Sequence, residues 1–184
     1  ESFDYIIVGA GSAGCVLAHR LGRAGRRVLL IEAGGRADLP SVAAPPAWPT
    51  LQEGALDWRY MTTPQLGLGG RAITCPRGKA VGGSSIINAL AYQRGHAAAY
   101  DRWPVGWCHA DLLPYFRRAE TFSGGANAWR GGDGPLHVLS LADVTDRTPV
   151  AEAFMAAAQQ AGFPVTPDLG GEVTTGVGWN QLRI

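Results

Sequence analysis

Near its N-terminus the chain sets a glycine turn, Gly9-Ala10-Gly11-Ser12-Ala13-Gly14, between two short apolar runs. Phe3 to Val8 is apolar and β-branched and reads as a buried strand. Ala13 to Ala24 reads as a helix, with Val16, Leu17, Ala18 and Leu21 on one apolar face and His19, Arg20 and Arg23 pointing outward. Gly25 ends it, and Val28 to Ile31 reads as a second buried strand that closes at Glu32. Two strands joined by a helix of this length predict a βαβ unit with a parallel pair.

The turn fits G-x-G-x-x-G. Gly9 permits the tight bend, Gly11 lets the backbone approach a pyrophosphate, and Gly14 lets helix and strand pack closely. The helix N-terminus, with Ser12 and Ala13 in its first turn, offers unpaired N–H groups and a partial positive charge to phosphates. Glu32 stands where such units place an acid that accepts from ribose hydroxyls. Its charge would repel a 2′-phosphate, which disfavours NADP. The pattern suits the ADP half of FAD or of NAD equally, and its bland counterpart is a tight turn with no ligand.

The 184 residues are enough for one domain, and a hydrophobic fraction of 46% allows a sizeable core. A net charge of +1, with the arginines scattered, sets up no field for nucleic acid or a membrane surface. Cys15, Cys75 and Cys108 are widely spaced, without a C-x-x-C pair. That argues against a disulfide framework or a zinc site and points to a reducing compartment, with the cytoplasm as the default expectation. No apolar run reaches membrane-spanning length.

Beyond the βαβ unit, residues 34–77 are irregular. Pro40, Pro45, Pro46, Pro49 and Pro64 break long helices, and so long a connection is expected to cover something functional. Gly78 to Arg94 starts with glycines and is expected to become helical after Ser84. Helices are also expected over Asp111 to Phe122 and over Pro149 to Ala161, the latter stopped by Gly162, with a strand near Leu136 to Leu139.

The most specific segment is Arg77-Gly78-Lys79-Ala80-Val81-Gly82-Gly83-Ser84-Ser85-Ile86-Ile87-Asn88, followed by Tyr92, Gly95 and Asp101. At every defining position it resembles the first signature of the glucose–methanol–choline (GMC) oxidoreductases. Asp4-Tyr5-Ile6-Ile7-Val8-Gly9, Glu32-Ala33-Gly34, Asp57-Trp58 and Leu112-Leu113-Pro114-Tyr115-Phe116 also look like that family. One departure is the short Trp103-Pro104-Val105-Gly106-Trp107 link, where family members usually carry a longer one. The residues suit a flavin: Gly82 and Gly83 let the main chain pass close to a planar ring, and Ser84 and Ser85 can cap the helix expected after them.

The resemblance implies an α/β fold: a Rossmann-like FAD/NAD(P)-binding domain with a parallel βαβ sheet, incomplete in this chain, then the start of an α+β substrate domain. The boundaries are placed at residues 1–135 and 136–184. It implies that Gly9, Gly11, Ser12, Ala13, Gly14, Glu32, Ala33, Trp58, Ala80, Gly82, Gly83, Ser84, Asn88, Ala89, Leu90 and Ala91 surround FAD. Some members attach FAD through a histidine just before the asparagine. Ile87 stands there, so non-covalent FAD is expected.

The implied activity is oxidation of a small-molecule alcohol, with hydride passing to flavin N5 and a histidine in the C-terminal region handling the proton. That histidine is expected beyond Ile184, and no catalytic role falls to His19, His96, His109 or His137. The remaining polypeptide of the enzyme is then a required partner. Without it, apolar faces and strand edges should stay uncovered, leaving a cleaved, split or truncated product that is marginal alone. Three further readings are a hydroxynitrile lyase that keeps FAD as a structural group, a truncated non-catalytic FAD-binding fragment, and an NAD-dependent enzyme. The segment from Gly78 to Asn88 argues against the last.

Overall fold

The structure, a computed structural model, describes residues 2–184. It divides into two compact units between Ala89 and Leu90. The functional boundary expected at 135/136 falls inside the second unit, where residues 120–122 and 136–140 are paired strands.

The first unit opens with the expected βαβ element. Strand β1 (Tyr5–Val8) pairs in parallel with β2 (Val28–Ile31), with Tyr5 opposite Val28 and Val8 opposite Ile31. Helix α1 (Ser12–Arg23) joins them. Its end is tied by Arg26 N–H to Leu21 O (3.0 Å) and Gly25 N–H to Gly22 O (3.0 Å), with Gly25 at φ +75°. This is the paired closure that needs a left-handed residue, and glycine supplies it without a Cβ penalty.

Neither strand is buried, contrary to the sequence reading: Ile6 is 64% and Val8 83% exposed. The apolar face expected on α1 is open at Val16 and Leu17 as well. Among the described residues this sheet has only two strands, too few to bury both faces. The expectation of uncovered apolar faces holds.

Residues 34–77 are mostly irregular, as expected. They contain the one-turn helix α2 (Trp48–Leu51) and a small antiparallel ladder, β3 (Tyr60–Met61) with β4 (Thr74–Cys75), too short to leave a sequence signal. The helix expected after Ser84 is absent: Gly83–Ile86 makes a single 3₁₀ turn. The two serines instead bond the main chain around the turn. Ser84 Oγ accepts from Gly78 N–H (3.0 Å), and Ser85 Oγ donates to Gly82 O (2.8 Å). Two adjacent β-branched residues, Ile86 and Ile87, disfavour helix propagation here.

In the second unit, α3 (Ala97–Tyr100) is capped by His96, whose Nδ1 accepts from Ala98 N–H (3.1 Å). Helix α4 (His109–Ala119) starts with a reciprocal cap between Cys108 and Asp111. It ends earlier than expected, because β5 (Glu120–Phe122) takes its last residues into a sheet. There β5 pairs in parallel with β6 (Leu136–Ser140), which pairs antiparallel with β7 (Gln181–Arg183). Helix α5 (Pro149–Gln160) matches its expectation closely, with Thr148 as N-cap and Gly162 at φ +88° beyond its end. Among the described residues no helix is long and apolar enough to cross a membrane.

The interior of this unit is charged. Glu120 Oε1 lies 2.6 Å from Arg94 Nη2 and 3.4 Å from Arg130 Nε, and all three side chains are buried. Arg130 also bonds Gln181 Oε1 (2.7 Å), meets Asp168 Oδ2 at 3.4 Å and lies over the Phe122 ring at 3.9 Å. Tyr100 donates its hydroxyl to Arg94 O, and Asp101, a signature position, accepts from His109 N–H (3.1 Å).

Candidate cofactor-binding groove

Three glycine segments of the first unit meet backbone against backbone. Gly9 leaves β1 at φ +94° and donates to Ile31 O (2.7 Å) at the end of β2. A Cβ on Gly14 would lie 1.9 Å from Gly9 O, one on Gly34 2.1 Å from Lys79 O, and one on Gly83 2.8 Å from Gly11 Cα. Gly82 N–H donates to Ala10 O (2.7 Å), and Val81 N–H to Gly35 O (3.0 Å). These contacts carry the second glycine segment to the first turn of α1. They form the floor of a groove of about 460 Å³, within the roughly 300–1,000 Å³ of small-molecule sites.

No side chain caps the N-terminus of α1, and no acid stands in its first turn. The first intrahelical bond there is Cys15 N–H to Gly11 O (2.9 Å), so the amides of Ser12, Ala13 and Gly14 precede the ladder. Beside them, Glu32 accepts Ala10 N–H on Oε2 (2.7 Å) and Gly34 N–H on Oε1 (2.9 Å). The Gly34 bond, then the Ala10 bond, hold its carboxyl below the ordinary glutamate value. Its lone pairs are not exhausted by these bonds, so the carboxylate can accept a hydroxyl besides.

The far wall is the irregular excursion. Trp58 N–H bonds Arg77 O (2.8 Å), and Lys79 N–H bonds Leu56 O (2.7 Å). Trp58 and Tyr60 stack at 5.7 Å between centroids with their planes nearly parallel at 9°, and Lys79 Nζ sits 4.6 Å over the Trp58 ring. Asp57 beneath is buried, which would raise its carboxyl. The N–H groups of Glu53, Arg59 and Arg77, with the Arg59 charge, outweigh that and lower it.

Of the residues picked from sequence, Gly9, Gly11, Glu32, Ala33, Trp58, Gly83 and Ser84 line the groove. Ser12, Ala13 and Gly14 lie behind the turn in α1, while Ala80 and Gly82 belong to the floor, Ala80 fully buried. Asn88 and Ala89 close the first unit and do not line the groove. Leu90 (φ +61°) and Ala91 open the second unit, where Leu90 O accepts Arg183 N–H (2.9 Å) and Ala91 pairs with Leu182.

Sequence reasoning missed Val8, Ile31, Tyr60, Arg77 and Gly78, which also line the groove. Val8 and Ile31 were findable, since open α/β sheets bind ligands beyond the carboxyl ends of their strands. Tyr60 shares Trp58's face through the two-residue period of extended chain, a faint signal. No histidine lines the groove. A larger cavity of about 710 Å³ in the second unit, between α5 and residues 174–178, carries no ionisable side chain and offers no comparable chemistry.

The GMC oxidoreductase family matches residues 3–183. An oxygen-dependent choline dehydrogenase of Photobacterium profundum is 46% identical over 100% of the chain and 33% of its own length. The mitochondrial choline dehydrogenase of Mus musculus is 43% identical, with the same shares of 100% and 33%. Among solved structures, pyridoxine 4-oxidase from Mesorbium loti superimposes with a TM-score of 0.94 at 39% identity, covering 100% of this chain and 37% of that one. Formate oxidase of Aspergillus oryzae RIB40, studied for FAD modification, gives 0.86 at 28% identity, covering 98% and 34%. The chain thus spans about a third of the length of the curated relatives it matches. With a match that runs from β1 through β7 and takes in both glycine segments of the groove, the chain belongs to the GMC oxidoreductase family.

Proposed function

We propose that this chain provides the FAD-binding groove of an oxidoreductase that acts on the CH–OH group of small alcohols. The observation that carries the reading is the backbone floor made by Gly9–Gly14, Gly34 and Gly78–Gly83, with Glu32 beside it. The α1 amides would hold the pyrophosphate, Glu32 the adenosine ribose, and Trp58 and Ser84 the groove walls. FAD, when bound, supplies a two-electron acceptor for the hydride of the alcohol carbon. The chain's own part is to orient that group and exclude water from its face.

The FAD is read as non-covalently held; what supports this is Ile87, a buried side chain without a nucleophile at the position where the family resemblance places a histidine in some members. The proton acceptor is assigned outside these residues. Supporting this, no histidine lines the groove, and the relatives are about three times as long. The domain reading follows suit, with substrate contacts placed in the second unit and in further polypeptide. Choline, named for two relatives, is the first alcohol to assay.

The test is anaerobic addition of choline and a panel of small alcohols to the flavin-loaded protein. One of them should bleach the visible flavin band. A flavin that no alcohol bleaches, while hydroxynitriles are cleaved, would favour the lyase reading instead.

A further inference from the structure

Among the described residues Asp57 is the one carboxylate buried in the wall of the groove, and it is surrounded by main-chain donors. Its Oδ2 accepts Glu53 N–H (2.8 Å), and its Oδ1 accepts both Arg59 N–H (3.0 Å) and Arg77 N–H (2.8 Å). Two of those donors belong to residues in the left-handed region, Glu53 at φ +58° and Arg59 at φ +53°. Neither is a glycine, so each holds a backbone conformation that L side chains disfavour. An ionised acceptor that gathers their amides offsets that strain, because hydrogen bonds to a charged group are the strong ones.

The consequence falls on the residues next to it. Trp58 lies between two residues tied by the same carboxylate, Asp57 itself and Arg59. Its own N–H is fixed to Arg77 O, and Arg77 N–H returns to Asp57. Asp57 and Gly78 form a bridge at the same level. Trp58 is nonetheless 38% exposed, on the groove side and stacked on Tyr60. Tyr60 and Lys79 pack on the ring, and the main-chain bonds around Trp58 fix where that stack stands in an excursion with little regular structure.

We infer that Asp57 is a positioning residue: its carboxylate fixes the turn at residues 53–59 and the chain at Arg77, two residues past β4, and so holds the Trp58–Tyr60 stack and the Arg77 main chain at the face of the groove. This rests on reading the groove as the flavin site. Asp57 does not line the groove, whereas Trp58 does, so Asp57 would act through Trp58. The division of labour between its oxygens makes the role separable from bulk stability. Asn at this position keeps one oxygen for Arg59 and Arg77 but turns an NH₂ group toward Glu53 N–H. Ala removes all three bonds.

The experiment compares the wild type, Asp57→Asn, Asp57→Ala, Trp58→Ala and the Asp57→Ala/Trp58→Ala double variant, each prepared as the full flavin-binding protein. FAD titration is read together with the near-ultraviolet circular dichroism of the flavin-free form. Asp57→Ala should weaken FAD binding about tenfold and Asp57→Asn about threefold, in keeping with the loss of charge-assisted bonds. Both should reduce the dichroism of the aromatic stack. The double variant should bind no worse than Trp58→Ala, as expected when one residue acts through the other. If Asp57→Ala does not fold, the Asn variant and its double with Trp58→Ala carry the same comparison. FAD affinity unchanged beside a lowered melting temperature, or losses that add in the double variant, would overturn the inference. A wild type that binds no FAD would overturn the groove reading, and the dichroism of the flavin-free variants would still judge the role of Asp57.

Discussion

The two units build their interiors in opposite ways. In the first, the closest packing is backbone on backbone, at Gly14 against Gly9, Gly34 against Lys79 and Gly83 against Gly11. Side chains contribute little there: Ala10, Ala80, Ile87 and Leu51 are the buried apolar residues, and the strands face outward. In the second, Arg130, Glu120 and Gln181 are buried more deeply than almost any apolar side chain. The first unit should therefore fail when atoms are added and the second when charges are removed. A glycine floor leaves main-chain amides beside a groove, where a ligand can reach them. A charged core pairs its ions with one another and with the main chain, and so ties β5, the 127–131 loop and β7 together.

The largest effect is expected at Glu120. Glu120→Ala leaves Arg94 and Arg130 buried without the carboxylate they share, which should cost about 3–5 kcal/mol. Denaturant unfolding reads it, and a loss below about 1 kcal/mol would break the contrast between the units. Gly14→Ala comes next. Its Cβ would meet main-chain oxygen rather than a movable side chain, so about 2–3 kcal/mol of strain is expected, with loss of bound flavin. A melting curve paired with flavin content per protein checks both.

Acid gives a smaller, graded effect. Glu32 and Asp57 are both held below their ordinary values in the fold. Their contribution is therefore complete above the ordinary carboxylate range, about pH 4–5, and is lost as pH falls through it toward the lower folded values. Flavin retention should be level from neutral pH to about 5 and decline only below about 4. Replacing Glu32 with Gln should shrink that acid-dependent part. The smallest effect is a gain. Gly22 lies in α1 at ordinary backbone angles with open space around its would-be Cβ, so Gly22→Ala should add about 0.5–1 kcal/mol. Equal damage from Gly22→Ala and Gly14→Ala would erase the distinction between a floor glycine and a spare one.

Much of the first unit was legible in the sequence because its signals are local. The apolar runs, the glycine turn, Gly25 and Glu32 each act within a few residues, and β1, α1 and β2 fall within a residue or two of their expected bounds. Helix α5 was legible for the same reason: Thr148-Pro149 starts it and Gly162 stops it. Burial was not legible, since a run such as Ile6-Ile7-Val8 records what it is suited to pack against and not whether that partner lies in the chain. The segment after Ser84 misled because its apolar residues suggest a helix while Ile86, Ile87 and left-handed Leu90 end it. The Asp57 contacts were invisible because left-handed Glu53 and Arg59 carry no glycine to mark them. The charged core depends on residues as far apart as Arg94 and Gln181, brought together only by β5 and β7.

The claim that binds these observations together is that the glycine floor and Glu32 hold a flavin. Its most direct test is the absorption spectrum of the purified protein before and after denaturation, with FAD added back if the preparation is colourless. A flavin spectrum is expected, with a tenfold or greater loss of affinity in Gly14→Ala, and release of the chromophore on denaturation would support non-covalent attachment. A protein that stays colourless under saturating FAD would contradict the flavin site, while a flavin that remains attached after denaturation would overturn only the reading of Ile87.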